Sequence, residues 1–407
     1  MLPKSADVVV IGGGVLGTSA AFHLSAAGQK NVVVLDRGAI ASGTTPFAAG
    51  QTGYLTCDRL ALKFGAYNVD FFSHFEKHTG HAIDFQQSGS LRVALTDKYK
   101  DDLESRIQAA AEIGHEVQIL SHQVAKSRVP LFDPPSGCQI LSVPKDGYVE
   151  PKSVAVAYAS GACDRGATIH TRTNVSGLEI HDGRVKAVQT DQGVIETDWV
   201  VLAAGAWTRQ FGQRLGLNLR TVPVRHQAFD TAPIKGVKTN QPIVRITEPQ
   251  VYVRQEAGGL LVGGYGYQPR TFDMNDFPED FEIPALAADQ AYYQELRAAA
   301  AAFFPALTDA VVVRERRGLP TISPDGRLLV SETREINGLI IVSGCAVGGV
   351  DRSPGTGRLV ADIITGRDPW FPLEGLTVDR FGDEFANDGE LRDRCQEIYA
   401  HHYHEIY

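Results

Sequence analysis

A chain of 407 residues, 43% hydrophobic and 21% charged, has apolar mass for two or three packed domains and the surface charge of an ordinary globular protein. Its formal net charge of −9 argues against nucleic acid as a partner and leaves no basic patch for a membrane surface. The five cysteines, Cys57, Cys138, Cys163, Cys345 and Cys395, are scattered without a CxxC pair, which excludes a disulfide framework and fits reduced thiols in a reducing compartment.

The first strand begins near residue 6, so no leader is expected before it. No apolar run is long enough to span a bilayer, and a cytoplasmic enzyme is expected. An apolar strand, Asp7–Ile11, runs into Gly12-x-Gly14-x-x-Gly17. A helix over 18–28 and a second strand, Asn31–Leu35, follow and end at Asp36 and Arg37. Strand, glycines, helix, strand and acid in this order describe a unit that binds an ADP moiety. Gly12 allows the turn, Gly14 lets backbone approach pyrophosphate, and Gly17 lets helix and strand pack closely. The helix N-terminus faces the phosphates, and Asp36 can bond ribose hydroxyls. The bland alternative is a glycine loop in an ordinary βαβ unit.

Helices are expected over 58–80, 99–113 and 151–165, the first ending near Gly80 and the third capped by Gly166. The proline-bearing stretch 130–149 reads as loop. Segments 174–180 and 185–190 flank His181-Asp182-Gly183, a hairpin signal. Residues 199–205 form a buried strand opening into a helix at Ala206-Trp207. Strands Val222–Phe229, Val251–Gln255 and Leu260–Gly264 follow, then an Ala-rich helix over about 286–304. Strands return at 325–330 and 338–344, and a final helix begins near Gly355. This interleaving indicates an α/β fold of α+β type. A Rossmann-like nucleotide-binding domain (1–80, 145–220 and 320–370) is interleaved with a smaller substrate domain (81–144 and 221–319) on an antiparallel or mixed sheet. Residues 371–407 form a C-terminal tail.

A nicotinamide enzyme has no use for the distant loop Ser343–Val350 followed by Ser353-Pro354-Gly355-Thr356-Gly357. That loop suits a flavin ring at a helix N-terminus, where the dipole stabilises negative charge; a surface loop before a structural helix is the plain alternative. The motifs Ala41–Gly50, Ala203–Thr208, Val222–Gln227, Val251–Glu256 and Gly258–Tyr265, with the opening βαβ, make the chain resemble the D-amino-acid-oxidase-like flavoprotein superfamily. It most resembles the flavin part of the dimethylglycine and sarcosine dehydrogenase family, over nearly its whole length.

The resemblance implies FAD held by Gly12, Gly14, Gly17, Asp36, Arg37, Ser42, Gly43, Thr44, Thr45, Phe47, Ala48, Val175, Ala204, Gly205, Trp207, Gly348, Gly349, Val350, Gly355 and Thr356. It places His226 and Tyr252 beside the substrate amine as catalytic residues, with Tyr265 a weaker candidate. A histidine there can accept a proton near neutral pH, and a tyrosine hydroxyl can bond amine or carboxylate; a core histidine and a sheet aromatic are the structural alternatives.

Departures from the family pattern are informative. Phe47 stands where family dehydrogenases join a histidine to the flavin, and Gly318 where monomeric sarcosine oxidases use a cysteine, so FAD is expected to be non-covalent. Leu261 replaces the lysine with which those oxidases help reduce oxygen. Asp351 replaces their carboxylate-binding lysine, with Arg352 beside it, so either the carboxylate is held elsewhere or the substrate presents a cation there; Asp351 and Arg352 are the substrate-binding candidates, with Arg59, Arg225 and Arg254 as further arginines. The flavin part of the family precedes a folate-binding part; this chain ends at the tail Ile398–Tyr403, and tetrahydrofolate is not expected as a partner. His74 and His78, one turn apart, and His401-His402-Tyr403-His404 read as solvated faces rather than metal ligands, so no metal is expected.

These readings converge on FAD-dependent oxidation of a small secondary or tertiary amine of N-methyl amino acid type to an imine, with oxidative demethylation. Oxygen or an unknown acceptor takes the electrons. Oxidation of an amino or cyclic imino acid, a partner-dependent flavin subunit and a nicotinamide dehydrogenase stay open.

Overall fold

The computed structural model describes residues 1–266 and 269–401. Among them, two large sheets form the frame. The apolar, β-branched strand Val8–Ile11 is buried on both faces and pairs in parallel with Val32–Leu35, as unbroken apolar runs do in a sheet covered on both sides. The first sheet has six strands in the order Leu329–Glu332, Leu339–Ser343, Val200–Leu202, Val8–Ile11, Val32–Leu35, Thr168–His170. Its pairs are parallel except the one made by Leu329–Glu332.

Val8, Val10, Val32 and Val34 pack under the helices Val15–Ala26, Pro151–Cys163 and Ser353–Ile364. Val9, Ile11, Val33 and Leu35 pack against Val175, Val185, Val188 and Ile195 of a three-stranded antiparallel sheet. The helices Val15–Ala26 and Ser353–Ile364 cross closely because residue 357 is glycine: a Cβ there would lie 2.3 Å from Ser19 Oγ. Ser19 Oγ donates to the Ser353 carbonyl at 2.7 Å, tying the two helices together.

The second sheet runs Val312–Gly318, His226–Thr231, Gly259–Gly264, Val251–Glu256, Ile243–Ile246, Ser90–Ala94, Gln139–Val143, Gln118–Ile119. It is mixed, since Ile243–Ile246 pairs in parallel with Ser90–Ala94 while its neighbours are antiparallel. Leu91, Val93, Phe229, Val244, Val253 and Val262 point to one face, under Tyr292, Tyr293 and Leu296 of the helix Gln290–Ala301. The alternate residues make a polar face that is nonetheless buried.

Several expectations need correction. The stretch 130–149 is not all loop. Gln139–Val143 and Gly147–Tyr148 are strands, because Ile140, Leu141 and Val143 are apolar and buried between prolines that fall outside the strands. The helix expected over 58–80 is two, Arg59–Ser73 and Phe75–Thr79, broken at His74 (φ −119°) and closed by Gly80 at φ 84°. The strand expected over Val222–Phe229 splits: Val222–Pro223 pairs with Thr321–Ile322, and His226–Thr231 joins the eight-stranded sheet.

The helix near Gly355 is not the last. Asp388–His401 follows within the segment taken as tail, and buries Leu391, Cys395, Ile398 and Tyr399 against Val222, Tyr252 and Tyr265. The Asp-Gly hairpin signal corresponds to Asp182 and Gly183 at φ 51° and 69°, the positive values a two-residue turn requires. No described helix is long and apolar enough to cross a membrane.

Candidate active site

The glycine turn is dictated by space. Gly12 has φ 114°, and a Cβ on it would lie 2.3 Å from the Ala203 carbonyl oxygen. A Cβ on Gly17 would lie 1.9 Å from the Gly12 carbonyl oxygen. Gly14 caps the helix Val15–Ala26 without a side chain, so the first amides point outward, Val15 N–H reaching Thr45 Oγ1 at 3.2 Å. Asp36 fastens the turn: its two oxygens accept from Gly13 N–H at 2.6 Å and Gly38 N–H at 2.7 Å. Burial pushes its pKa up, against the pull of these amides. Each carboxylate oxygen keeps a further lone pair for a ribose hydroxyl.

Around this hollow, Arg37 lies 4.0 Å over the Trp207 ring and donates to the Glu279 and Phe281 carbonyls. Ala204 leads into the turn Gly205–Trp207, entered at φ 56°. Ser42 Oγ nearly touches the place of a Cβ on Gly38, while Gly43 faces open space. Thr44 Oγ1 accepts from Leu319 N–H at 3.1 Å, and the Ala48 carbonyl accepts from Arg316 at 3.1 Å. Phe47 packs with Ala206, Met274 and Leu319. Val175 is buried beside the six-stranded sheet.

Gly348, Gly349 and Val350 lie in the loop before the helix Ser353–Ile364. Two expected cofactor residues are instead committed to packing. Gly355 N–H is taken by Asn68 Oδ1 at 2.8 Å, with Phe64 and Trp370 filling the space of a Cβ, and the fully buried Thr356 donates to the Arg352 carbonyl.

The polar face of the eight-stranded sheet closes the other side. Register sets Arg92, Arg245, Tyr252, Gly263, Ala228 and Arg316 in one row across it. Arg92, Arg245, Arg254 and Arg316 are only 2% to 4% exposed. Arginines are rarely buried so deeply without charge or ligand partners. Arg316 is held by Asp230 at 2.8 Å and Arg254 by Glu256 at 2.6 Å.

On this face, His226 Nε2 lies 2.9 Å from Tyr252 Oη and Nδ1 lies 2.7 Å from Tyr399 Oη. Gly263 makes this reach possible, since a Cβ there would sit 2.1 Å from Tyr252 Oη. The Tyr265 ring lies 5.0 Å from the imidazole. Burial lowers the His226 pKa to about 4, so the ring is neutral at ordinary pH. Sequence reasoning did not single out Tyr399: it lies in the tail stretch Ile398–Tyr403, for which the resemblance implied no site residue.

A small cleft lies between this cluster and the loops, lined by Tyr252, Tyr265, Ala49, Gln51, Gly348 and Asp351. Gln51 Nε2 is a buried donor with no partner among the described residues, as a ligand carbonyl would require. Asp351 Oδ1 accepts from Gly53 N–H at 3.0 Å. Its pKa is raised to about 7, chiefly by burial and slightly by Asp146, against Gly53, Arg352 and Arg245.

Because the folded carboxyl holds its proton more tightly than the unfolded one, Asp351 subtracts stability as pH rises from about 4 through about 7. Asp351→Asn should therefore raise the melting temperature more at about pH 8 than at about pH 5. A variant less stable than the parent at the higher pH would show the carboxylate to be ionised and paired instead.

The candidate arginines separate clearly. Arg59 is exposed and pairs with Glu112, Arg225 pairs with Asp289, and Arg352 folds back toward the Cys345 carbonyl. Arg245, unsuspected from sequence, is the cross-strand neighbour of Tyr252, with Nη2 3.3 Å from the place of a Cβ on Gly53. His74 and His78 face outward at the helix break, His78 stacked on Phe71 at 4.5 Å. His402, Tyr403 and His404 lie outside the described residues. No group of three metal-ligating side chains occurs among the described residues.

The profile of the FAD dependent oxidoreductase (DAO) family matches residues 7–363. The chain belongs to this family. Members are FAD-dependent, and the helix N-terminus at Gly14, which carries no capping side chain, fits the diphosphate of that cofactor. 4-Methylaminobutanoate oxidase (formaldehyde-forming) of Paenarthrobacter nicotinovorans is 30% identical over 99% of this chain and 49% of its own length. Human mitochondrial dimethylglycine dehydrogenase is 30% identical over 93% of this chain and 44% of its own. The chain thus spans about half the length of these relatives. The crystal structure of L-proline dehydrogenase from P. horikoshii superimposes with a TM-score of 0.83 and 26% identity, covering 93% of this chain and 98% of that one.

Proposed function

We propose that the protein oxidises a small N-methylated amino acid, using non-covalently held FAD. The observation that carries this reading is the buried His226–Tyr252 pair at a cavity bounded by the loops 48–51 and 347–351. Bound FAD supplies the acceptor for two electrons from the carbon beside nitrogen. The chain's own residues position the amine and manage its proton. Tyr252 lines the cavity, and its hydroxyl is the group we assign to the amine nitrogen; His226, 2.9 Å from that hydroxyl and neutral, can take a proton. Arg245, beside Tyr252, is the guanidinium we assign to the substrate carboxylate. The wall of Tyr265 and Val347 excludes water while the C–H bond breaks. The amine then loses two electrons and two protons to give the imine, whose hydrolysis gives formaldehyde and the demethylated amine. Leu261, fully buried where the oxidases have lysine, favours an electron acceptor other than oxygen.

Oxidation of a cyclic imino acid is the second reading, favoured by the likeness to L-proline dehydrogenase. Anaerobic addition of N-methylated amino acids and of proline, followed by the visible flavin spectrum, separates the two. Bleaching by the N-methyl compounds with stoichiometric formaldehyde is expected. Bleaching by proline alone, without formaldehyde, would replace this reading with the second.

A further inference from the structure

Among the described residues, Asp351 is the only acidic or basic side chain on the wall of the cleft. The rest of that wall is small aliphatic side chains, glycine backbone, Gln51 and the rings of Tyr252 and Tyr265. Asp351 is 8% exposed. Asp230, also buried, is held on both oxygens by Arg316. Asp351 has no ion pair among the described residues, and its hydrogen bond is the one that Oδ1 accepts from Gly53 N–H at 3.0 Å. That bond fixes the carboxyl against the loop carrying Gly53 and leaves the second oxygen for a donor that a ligand brings. A carboxylate is costly to bury without a positive partner.

Gln51 is an independent sign of a ligand at the same wall. It is 7% exposed, and its buried Nε2 has no partner among the described residues. The cleft therefore offers an acceptor at Asp351 and a donor at Gln51, between apolar and aromatic surfaces.

We propose that Asp351 is a specificity-determining residue whose carboxylate receives the charged, N-methylated ammonium of the substrate. The assignment rests on the amine-oxidation reading for the identity of the ligand and names the form in which that ligand binds. The substrate N–H bonds the carboxylate. Its N-methyl groups meet the faces of Tyr252 and Tyr265, which also attract cations. An acylated nitrogen is rejected because it brings no charge, and a second anionic group because it is repelled. Burial raises the Asp351 pKa to about 7, helped by Asp146 from the turn after Gln139–Val143. Arg352 of its own loop and Arg245 of the strand Ile243–Ile246 oppose that shift. Ammonium binding is therefore expected to strengthen as pH rises through about 7.

Glycine betaine and 3,3-dimethylbutanoate are the probes. They share one shape, with a quaternary nitrogen in the first and a carbon in the second, and neither can form an imine. Their dissociation constants from the FAD-loaded protein are read by calorimetry and by the flavin spectrum. The preference for betaine should rise by about 10-fold or more from about pH 6 to about pH 8, since an opposite charge close to a carboxylate shifts its pKa by about 1–3 units and binding shows the same coupling. In Asp351→Asn the preference should no longer depend on pH, and only the part due to the tyrosine rings should remain. A parental preference that is constant with pH, betaine that binds at no pH, or a pH dependence that survives in Asp351→Asn overturns the proposal. The parental titration decides the matter even if the variant fails to fold. The expected titration in a protein whose flavin no amine bleaches would overturn the functional reading alone.

Discussion

Gly12→Ala should yield a colourless protein with a markedly lower melting temperature. Gly12 adopts φ 114°, outside the range L-residues favour, and its missing Cβ would lie 2.3 Å from Ala203 O and 2.8 Å from Ala203 C. Backbone strain of this kind costs about 1–3 kcal/mol. Overpacking adds roughly 1–3 kcal/mol. The obstacle is main chain at the end of the parallel strand Val200–Leu202, so no rotamer change relieves it. The turn cannot open either, because Gly12 N–H is bonded to the Leu35 carbonyl at 2.8 Å. Together these terms are a large part of a typical folding free energy of about 5–15 kcal/mol. Gly28→Ala is the control: φ is 103°, but nothing lies within 4 Å of its Cβ. It should be mildly destabilised and stay yellow. Thermal unfolding and the visible spectrum of both variants decide the matter, and a yellow Gly12→Ala with unchanged melting would refute this account of the turn.

The second large effect is on chemistry. His226→Ala should slow anaerobic flavin reduction by about 10²–10⁴-fold, the usual contribution of a positioned proton carrier. The flavin should stay bound, since His226 touches Tyr252, Tyr265 and Tyr399 and not the glycine hollow. Two buried hydroxyls lose a partner, so a stability loss of about 1–3 kcal/mol is expected as well. The parent should also show an acid-side sensitivity that the variant lacks. The folded imidazole binds its proton less tightly than the unfolded one, so stability falls as pH drops from about 6.5 to about 4. Stopped-flow reduction and thermal unfolding across that range check both claims; reduction at the parental rate would remove His226 from the mechanism.

Local pattern made much of the nucleotide half legible. The run Asp7–Ile11, the three glycines and Asp36 are consecutive or nearly so, and backbone sterics act over such distances. The Asp-Gly turn at 182–183 and the Gly80 cap belong to the same class. The split of Val222–Phe229 was not legible, because Arg225 leaves one sheet edge for another according to partners at Thr321–Ile322 and Val312–Gly318. Gly355 and Thr356 misled for a related reason: a glycine-rich helix start serves a ligand or a helix contact equally well, and Asn68 and Trp370 decide which.

His226 and Tyr252 could be singled out by their motifs, yet nothing local says they touch. Their meeting depends on Gly263, which lies on the strand between theirs. Arg245 carried no signal, and Tyr399 lay in a tail stretch that resembled the family without implying a site residue. One is an arginine in a short strand that stands next to Tyr252, and the other lies in a polar segment with a weak apolar period. Sequence alone thus determined the nucleotide turn and the family of the flavin chemistry, since these follow from short-range sterics and contiguous motifs. Tertiary structure alone decided which residues gather around the histidine, since cross-strand register and the docking of the last helix bring His226 to Tyr252 and to Tyr399, 173 positions away.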